Sequence, residues 1–273
     1  AQVGALQALL EAGIRPDAVV GSSVGAINAA FLAMDPTPQR AHELERIWRG
    51  MSRAEVFPDG WLTIARRIAT RSSHLYSPQR LRAALAEAIP LQDLADGAIP
   101  CHVVTTDLHT GEAVWWAQGD PVEILSASAC LPGLFPPVLL DGRLHVDGGV
   151  ACPVPTQHAL DLGARRVWVL NVSRDVAGWP RMDHPLSALD VLLESFAISR
   201  AHLAHRDPVL GAGQEVVRLP LLGIDRRDLR DFSQTSRLLE AGRAAGSEMV
   251  EAALKPAFVP AQRKPSADHA GAA

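Results

Sequence analysis

The chain has 273 residues, enough for one substantial α/β domain, and its 48% hydrophobic and 21% charged content excludes a disordered, collagen-like or disulfide-dense secreted protein. A net charge of −4 gives no reason to expect nucleic acid as partner. Three cysteines, Cys101, Cys130 and Cys152, lack C-x-x-C spacing and fit a reducing, cytoplasmic setting.

In chain order, Val3, Leu6, Leu9 and Leu10 recur at helical spacing, and Gly13 follows where a left-handed C-cap stops a helix. Ala18-Val19-Val20 predicts a short strand, Gly21 to Gly25 a tight turn and Ala26–Met34 a second helix. The stretch from Arg40 to Arg82 predicts helix, with Leu44, Ile47, Trp48, Leu62, Ile64, Ile68, Leu81 and Leu85 turned inward. His102–Thr105 and Ala113–Ala117 flank the turn His109-Thr110-Gly111 and predict a hairpin. Ile124–Cys130 predicts a short helix, Val138–Leu140 and Leu144–Val146 short strands, and Val167–Val172 a fully buried strand. Ser233–Leu254 predicts a closing helix, and the Pro- and Ala-rich residues 255–273 a flexible tail. The alternation predicts an α/β fold with a largely parallel sheet between helical layers, one domain over residues 1–254.

Two uncharged stretches reach the lower edge of membrane-spanning length. Ala18–Met34 is interrupted by Gly21, Ser22, Ser23, Gly25 and Asn28, and Ile124–Leu140 by Pro132, Gly133, Pro136 and Pro137, so neither predicts a span. The first residues lack the positive n-region of a signal peptide.

Gly21-Ser22-Ser23-Val24-Gly25 fits G-x-S-x-G in the strand–turn–helix context that motif requires. A serine on so sharp a turn adopts a strained backbone, and flanking glycines remove Cβ atoms that would meet strand and helix. The helix opening at Val24 directs N–H groups and its positive dipole end to the place where an oxyanion forms during acyl transfer. A serine needs a base. Asp147, at the end of the apolar run Leu144–Val146 and followed by Gly148-Gly149, is the candidate, although Asp-Gly also fits an ordinary β-turn and Gly-Ser an ordinary loop.

In combination these segments resemble the patatin-like phospholipase family. The resemblance rests on Gly4-Ala5-Leu6 through Glu11-Ala12-Gly13-Ile14, on Gly21 through Ala29, on Ser126-Ala127-Ser128 through Pro132-Gly133-Leu134-Phe135-Pro136-Pro137, and on Val146-Asp147-Gly148-Gly149-Val150, in the family's order. It implies a three-layer α/β/α fold and a serine acyl hydrolase of lipids or phospholipids. It further implies Ser23 as nucleophile and Asp147 as base of a dyad, with no cofactor. The family places a strand and a Gly-rich loop bearing an arginine ahead of the first helix, whereas this chain starts at that helix with Ala1. The expectation is therefore a truncated chain whose remaining oxyanion donors are the N–H of Val24 and its neighbours.

The rival enzyme class is the α/β-hydrolase fold, whose Ser-Asp-His triad would draw its histidine from His158, His184, His202 or His205. A catalytically impaired binding or regulatory protein is a third reading. His145 reads as a structural histidine, and no H-E-x-x-H spacing supports a metal. Nine arginines between Arg40 and Arg82 face four acids, Glu43, Glu45, Glu55 and Asp59, and are interleaved with Trp48, Phe57, Trp61 and Tyr76. That composition predicts either a peripheral contact with anionic lipid headgroups, through residues such as Arg66 and Arg67, or solvated helix faces over aromatic core residues.

Overall fold

A computed structural model describes residues 1–52, 73–172, 188–220 and 232–255, together with positions 56, 63, 66, 67, 69 and 70. Its elements are α1 (Gln2–Glu11), β1 (Val19–Ser22), α2 (Val24–Ala33), α3 (Pro38–Gly50), α4 (Gln79–Ala88), β2 (Cys101–Asp107), β3 (Ala113–Trp116), α5 (Pro121–Ser128), β4 (Val138–Leu140), β5 (Arg143–Asp147), α6 (Thr156–Asp161), β6 (Arg166–Val169), α7 (Ala188–Ala204), β7 (Glu215–Arg218) and α8 (Thr235–Leu254).

α1 ends as expected, in a Schellman closure. Gly13, at φ +85°, donates its N–H to the Leu10 carbonyl, and Ile14 donates to that of Leu9. α3 starts behind Thr37, whose Oγ1 accepts the Arg40 N–H, with Pro38 at the first helical position. α5 begins three residues before the apolar run at Ile124, because the Asp120 carboxylate accepts the N–H groups of Val122 and Glu123 and Pro121 is preset for the first turn.

The central sheet is organised around β2. β1 pairs with it in parallel (Val19 with Cys101 to Ser22 with Val104), and β3 pairs antiparallel (Val103 with Trp116 to Thr106 with Ala113). β5 pairs antiparallel with β2 from Thr105 to Asp107, and β4 antiparallel with β5. β3 follows one edge of β2 from Val103 to Thr106, so β1 and β5 must share the other edge. Because one is parallel to β2 and the other antiparallel, they run toward each other and meet end to end. Ser22 ends β1 opposite Val104, and Asp147 ends β5 opposite Thr105, the next residue.

The α/β class expected from the alternation holds, with a sheet flanked by helices. Parallel pairing is found in β1–β2 and β6–β7, while the short connections to β3 and between β4 and β5 give antiparallel ladders. The core gathers Ala26, Ala30, Phe31, Leu44, Leu85, Leu94, Val103, Ile124 and Leu125 between α2, α3, α4, α5 and the sheet. A polar thread ties the helices together. Asn28 donates to Gln2, Trp48 donates to Asn28, and Gln2 donates to the Leu170 carbonyl. α8 lies directly on α1: a Cβ at Gly242 would stand 1.9 Å from the Ala1 carbonyl oxygen, so only glycine permits that approach.

Several expectations are corrected. The stretch from Arg40 to Arg82 is helical in α3, at the described positions 56, 63, 66, 67 and 69, and from Gln79 in α4, but it is interrupted at residues 51–52 and 73–78. Leu62, Ile64 and Ile68, like Phe57 and Trp61, lie outside the described residues. The strand expected at Val167–Val172 runs Arg166–Val169, and only Val169 in it is buried, because its partner is β7 in a separate two-stranded sheet rather than a pair of central strands. β7 and α7 had no counterpart in the sequence reading. Residues 256–273, expected as a tail, lie outside the described residues.

Candidate active site

Ser23 stands between β1 and α2 with φ +56° and ψ −131°, a conformation that costs a non-glycine residue on the order of 1–3 kcal/mol. The strain expected of the elbow is present. Gly21 is forced by space: a Cβ there would lie 2.4 Å from the Ala26 Cα and 2.6 Å from the Gly25 carbonyl oxygen. Gly25 is different. A Cβ on it would meet only the Gln2 side-chain amide, at 3.5 Å, so the expected collision at this second glycine does not exist.

The Ser23 side chain donates to Asp147 Oδ2 at 2.5 Å, with both residues buried. Asp147 Oδ1 accepts the Gly149 N–H at 2.7 Å. The Asp147 backbone is held as firmly: its N–H donates to the Cys130 carbonyl, and its own carbonyl accepts the Thr106 hydroxyl. Gly148 lets the chain turn against β2, since a Cβ there would lie 2.2 Å from the Val104 carbonyl oxygen. With no exposed surface, the Asp147 carboxyl is pushed up by burial, against the opposing pull of Arg200, the Ser23 hydroxyl and the Gly149 N–H. It is a stronger proton acceptor than a solvated aspartate.

α2 opens at Val24, which is 45% exposed. The N–H groups of Val24 and Gly25 belong to the first turn, where no intrahelical carbonyl reaches them. Ser22 is buried, and its hydroxyl has no hydrogen-bond partner among the described residues. Ser128 is a residue whose role the sequence did not disclose: its hydroxyl accepts the Ser23 N–H at 3.0 Å and donates to the Val104 carbonyl at 2.7 Å.

The candidate histidines go elsewhere. His158 stacks on Trp115, with centroids 3.7 Å apart, and lies 3.2 Å from His102 Nδ1. His202 is exposed, His205 bonds to the Ala201 carbonyl of its own helix, and His184 lies outside the described residues. His145 is buried against Thr105 Oγ1 at 2.9 Å, the structural place expected for it. Burial pushes the thiols of Cys101 and Cys130 up to about 12, so both are inert. Among the described residues no group of His, Cys, Asp and Glu could hold a metal ion.

A family model described as patatin-like phospholipase matches residues 1–160. The chain belongs to the patatin-like phospholipase family. An NTE family protein of Mycobacterium tuberculosis is 26% identical over 187 residues, 68% of this chain and 49% of that protein. Patatin-like phospholipase domain-containing protein 7 of Mus musculus is 28% identical over 181 residues, covering 64% of this chain and 13% of that protein. Patatin-like phospholipase domain-containing protein 6 of Homo sapiens is 26% identical over 172 residues, covering 62% and 12%. This patatin-like chain thus spans about half the length of the mycobacterial relative it matches and a much smaller share of the mammalian ones.

Among the described arginines of the 40–82 stretch, several have acidic partners. Arg40 pairs with Glu43, Arg49 with Glu45, and Arg82 with Glu123. Tyr76 is buried, and Trp48 packs against the core of this patatin-like domain. No described helix is long and apolar enough to cross a membrane.

Proposed function

We propose that the protein is a serine-dependent lipid acyl hydrolase in which Ser23 attacks an ester and Asp147 handles the proton. The observation that carries this reading is the 2.5 Å hydrogen bond from a strained serine at the head of α2 to a fully buried carboxylate. Asp147 accepts the Ser23 proton as Oγ adds to the ester carbonyl. The resulting oxyanion faces the open first turn of α2, where the N–H groups of Val24 and Gly25 and the helix dipole favour negative charge. Asp147 returns the proton to the leaving alcohol oxygen, which departs as the acyl–Ser23 ester forms. Water then adds to that ester, giving its proton to Asp147. Asp147 passes the proton back to Ser23 Oγ as the carboxylic acid leaves.

The direct Ser23–Asp147 bond leaves no place for an imidazole between them, which favours the dyad over a triad. Membership of the patatin-like family supports a lipid ester as substrate. The ion pairs of Arg40, Arg49 and Arg82 favour solvated helix faces over an open lipid-docking surface in that stretch.

The test is labelling by a fluorophosphonate probe and turnover of a short-chain p-nitrophenyl ester. Both are expected from the protein and absent from Ser23→Ala, with Asp147→Asn losing on the order of a thousandfold or more. Labelling and turnover that survive Ser23→Ala, or that are absent from the parent protein, overturn the reading.

A further inference from the structure

α7 brings a guanidinium to the dyad. Arg200 Nε lies 2.7 Å, and its Cζ 2.8 Å, from the point where a Cβ on Gly149 would stand, and Asp147 Oδ1 lies 2.9 Å from the same point. Guanidinium and carboxylate therefore both sit within 2.9 Å of one position in space. That is close enough for their charges to act on each other. They make no direct ion pair: Asp147 Oδ1 accepts the Gly149 N–H and Oδ2 the Ser23 hydroxyl, and Arg200 acts on the carboxylate through its charge.

Arg200 is half-buried, and among the described residues its guanidinium has no hydrogen-bond or ion-pair partner. It lies over the Phe196 ring, with Cζ 5.5 Å from the centroid, a contact that uses none of its N–H donors. Arg40, Arg49, Arg82, Arg143, Arg166 and Arg243 each reach a carboxylate. A half-buried cation with unfilled donors calls for an anion, and the planar fork of arginine matches the oxygens of a phosphate.

We propose that Arg200 is a specificity-determining residue that receives the phosphate oxygens of a phospholipid substrate while its acyl ester lies at Ser23. This rests on the hydrolase reading above. In a glycerophospholipid the phosphate is a few bonds from each acyl ester, so one molecule carries both the ester for Ser23 and an anion for a cation beside Asp147. A neutral acylglycerol offers this guanidinium only an uncharged oxygen in that place, a weaker partner than a phosphate. Gly149 serves the same arrangement, since a side chain there would displace the guanidinium.

The experiment measures binding in the Ser23→Ala background, where no turnover intervenes, by titrating intrinsic tryptophan fluorescence. The probes are dihexanoylphosphatidylcholine below its micellar concentration, dihexanoylglycerol and inorganic phosphate. The phosphate-bearing lipid should bind at least tenfold more tightly than the neutral one. Arg200→Gln should reduce that ratio about tenfold, and Arg200→Lys should keep part of it. An unchanged ratio in Arg200→Gln overturns the proposal, as does an equal weakening of both lipids, which would mean that Arg200 acts only through Asp147. Equal affinity for inorganic phosphate and the lipid also overturns it in favour of a free-anion site. The ratio is internal to each variant, so a general loss of folded protein does not mimic the result. Failure of the fluorophosphonate and ester test with the phosphate preference intact overturns the hydrolase reading alone.

Discussion

The Ser128 hydroxyl stands between two backbones, accepting the Ser23 N–H at 3.0 Å and donating to the Val104 carbonyl at 2.7 Å. It joins the end of α5 to the strained elbow and to β2, and it is itself fully buried. Ser128→Ala leaves a buried donor and a buried acceptor unpaired, a cost of about 1–3 kcal/mol. The expected outcome is a lower Tm and a larger relative loss of ester turnover than of folded protein. Ser128→Thr, which restores the hydroxyl, should recover part of both. Turnover that falls only in proportion to folded protein contradicts a positioning role.

The two glycines of the elbow should respond oppositely. Gly21→Ala drives a methyl group into the backbone of Ala26 and Gly25 and should lose both fold and turnover. Gly25→Ala meets only the Gln2 amide and should leave the unfolding free energy within about 0.5 kcal/mol of the parent, consistent with a substitution that creates no clash. Thermal unfolding of the pair decides it, and equal destabilisation would contradict the packing described.

Burial raises the Asp147 carboxyl, and that shift has two consequences of opposite sign. In the proposed role of base Asp147 acts ionised, so turnover should fall on acidification with a midpoint above the ordinary carboxylate range. A raised carboxyl favours the folded state when protonated; that contribution is present below the unfolded pKa and is lost as pH rises through the folded one. At neutral pH the buried charge therefore opposes folding. Asp147→Asn should abolish turnover and raise Tm at pH 7, by about 2–4 °C for each kcal/mol recovered, with the difference vanishing toward pH 3. A lower Tm for Asp147→Asn at pH 7 would contradict this.

Asp107 behaves in the reverse way. The Arg143 guanidinium, with the N–H groups of His109 and Thr110, holds its carboxyl down at about 2. Its stabilising contribution is present above the unfolded pKa near 4 and is lost as pH falls toward 2. The Tm gap between the parent and Asp107→Asn should be constant above about pH 5 and close as pH falls below 4. A gap that does not change with pH would contradict the assignment.

Much of this molecule was legible in one dimension because its signals are local. The Gly13 stop, the strand at Val19, the elbow between Gly21 and Gly25, the hairpin around Gly111 and the Asp147-Gly148-Gly149 turn each depend on backbone sterics within a few residues, which residue type alone controls. The start of α5 was missed by apolar periodicity, which placed it at Ile124, because the Asp120-Pro121 cap outranks that pattern. What required the tertiary structure was every relation between distant segments. That β1 and β5 meet head to head along one edge of β2, and so bring Ser23 to Asp147 across 124 positions, follows from strand order and direction, which hydropathy does not encode. The need for glycine at 21 but not at 25 depends on which atoms lie opposite each Cα. Val167 reads as a buried strand residue and is only half-buried, because burial depends on how many strands flank it. Arg200 carries no motif at all; its place beside Asp147 is set by where α7 packs, and the lack of a partner for its guanidinium among the described residues is visible only in the folded chain.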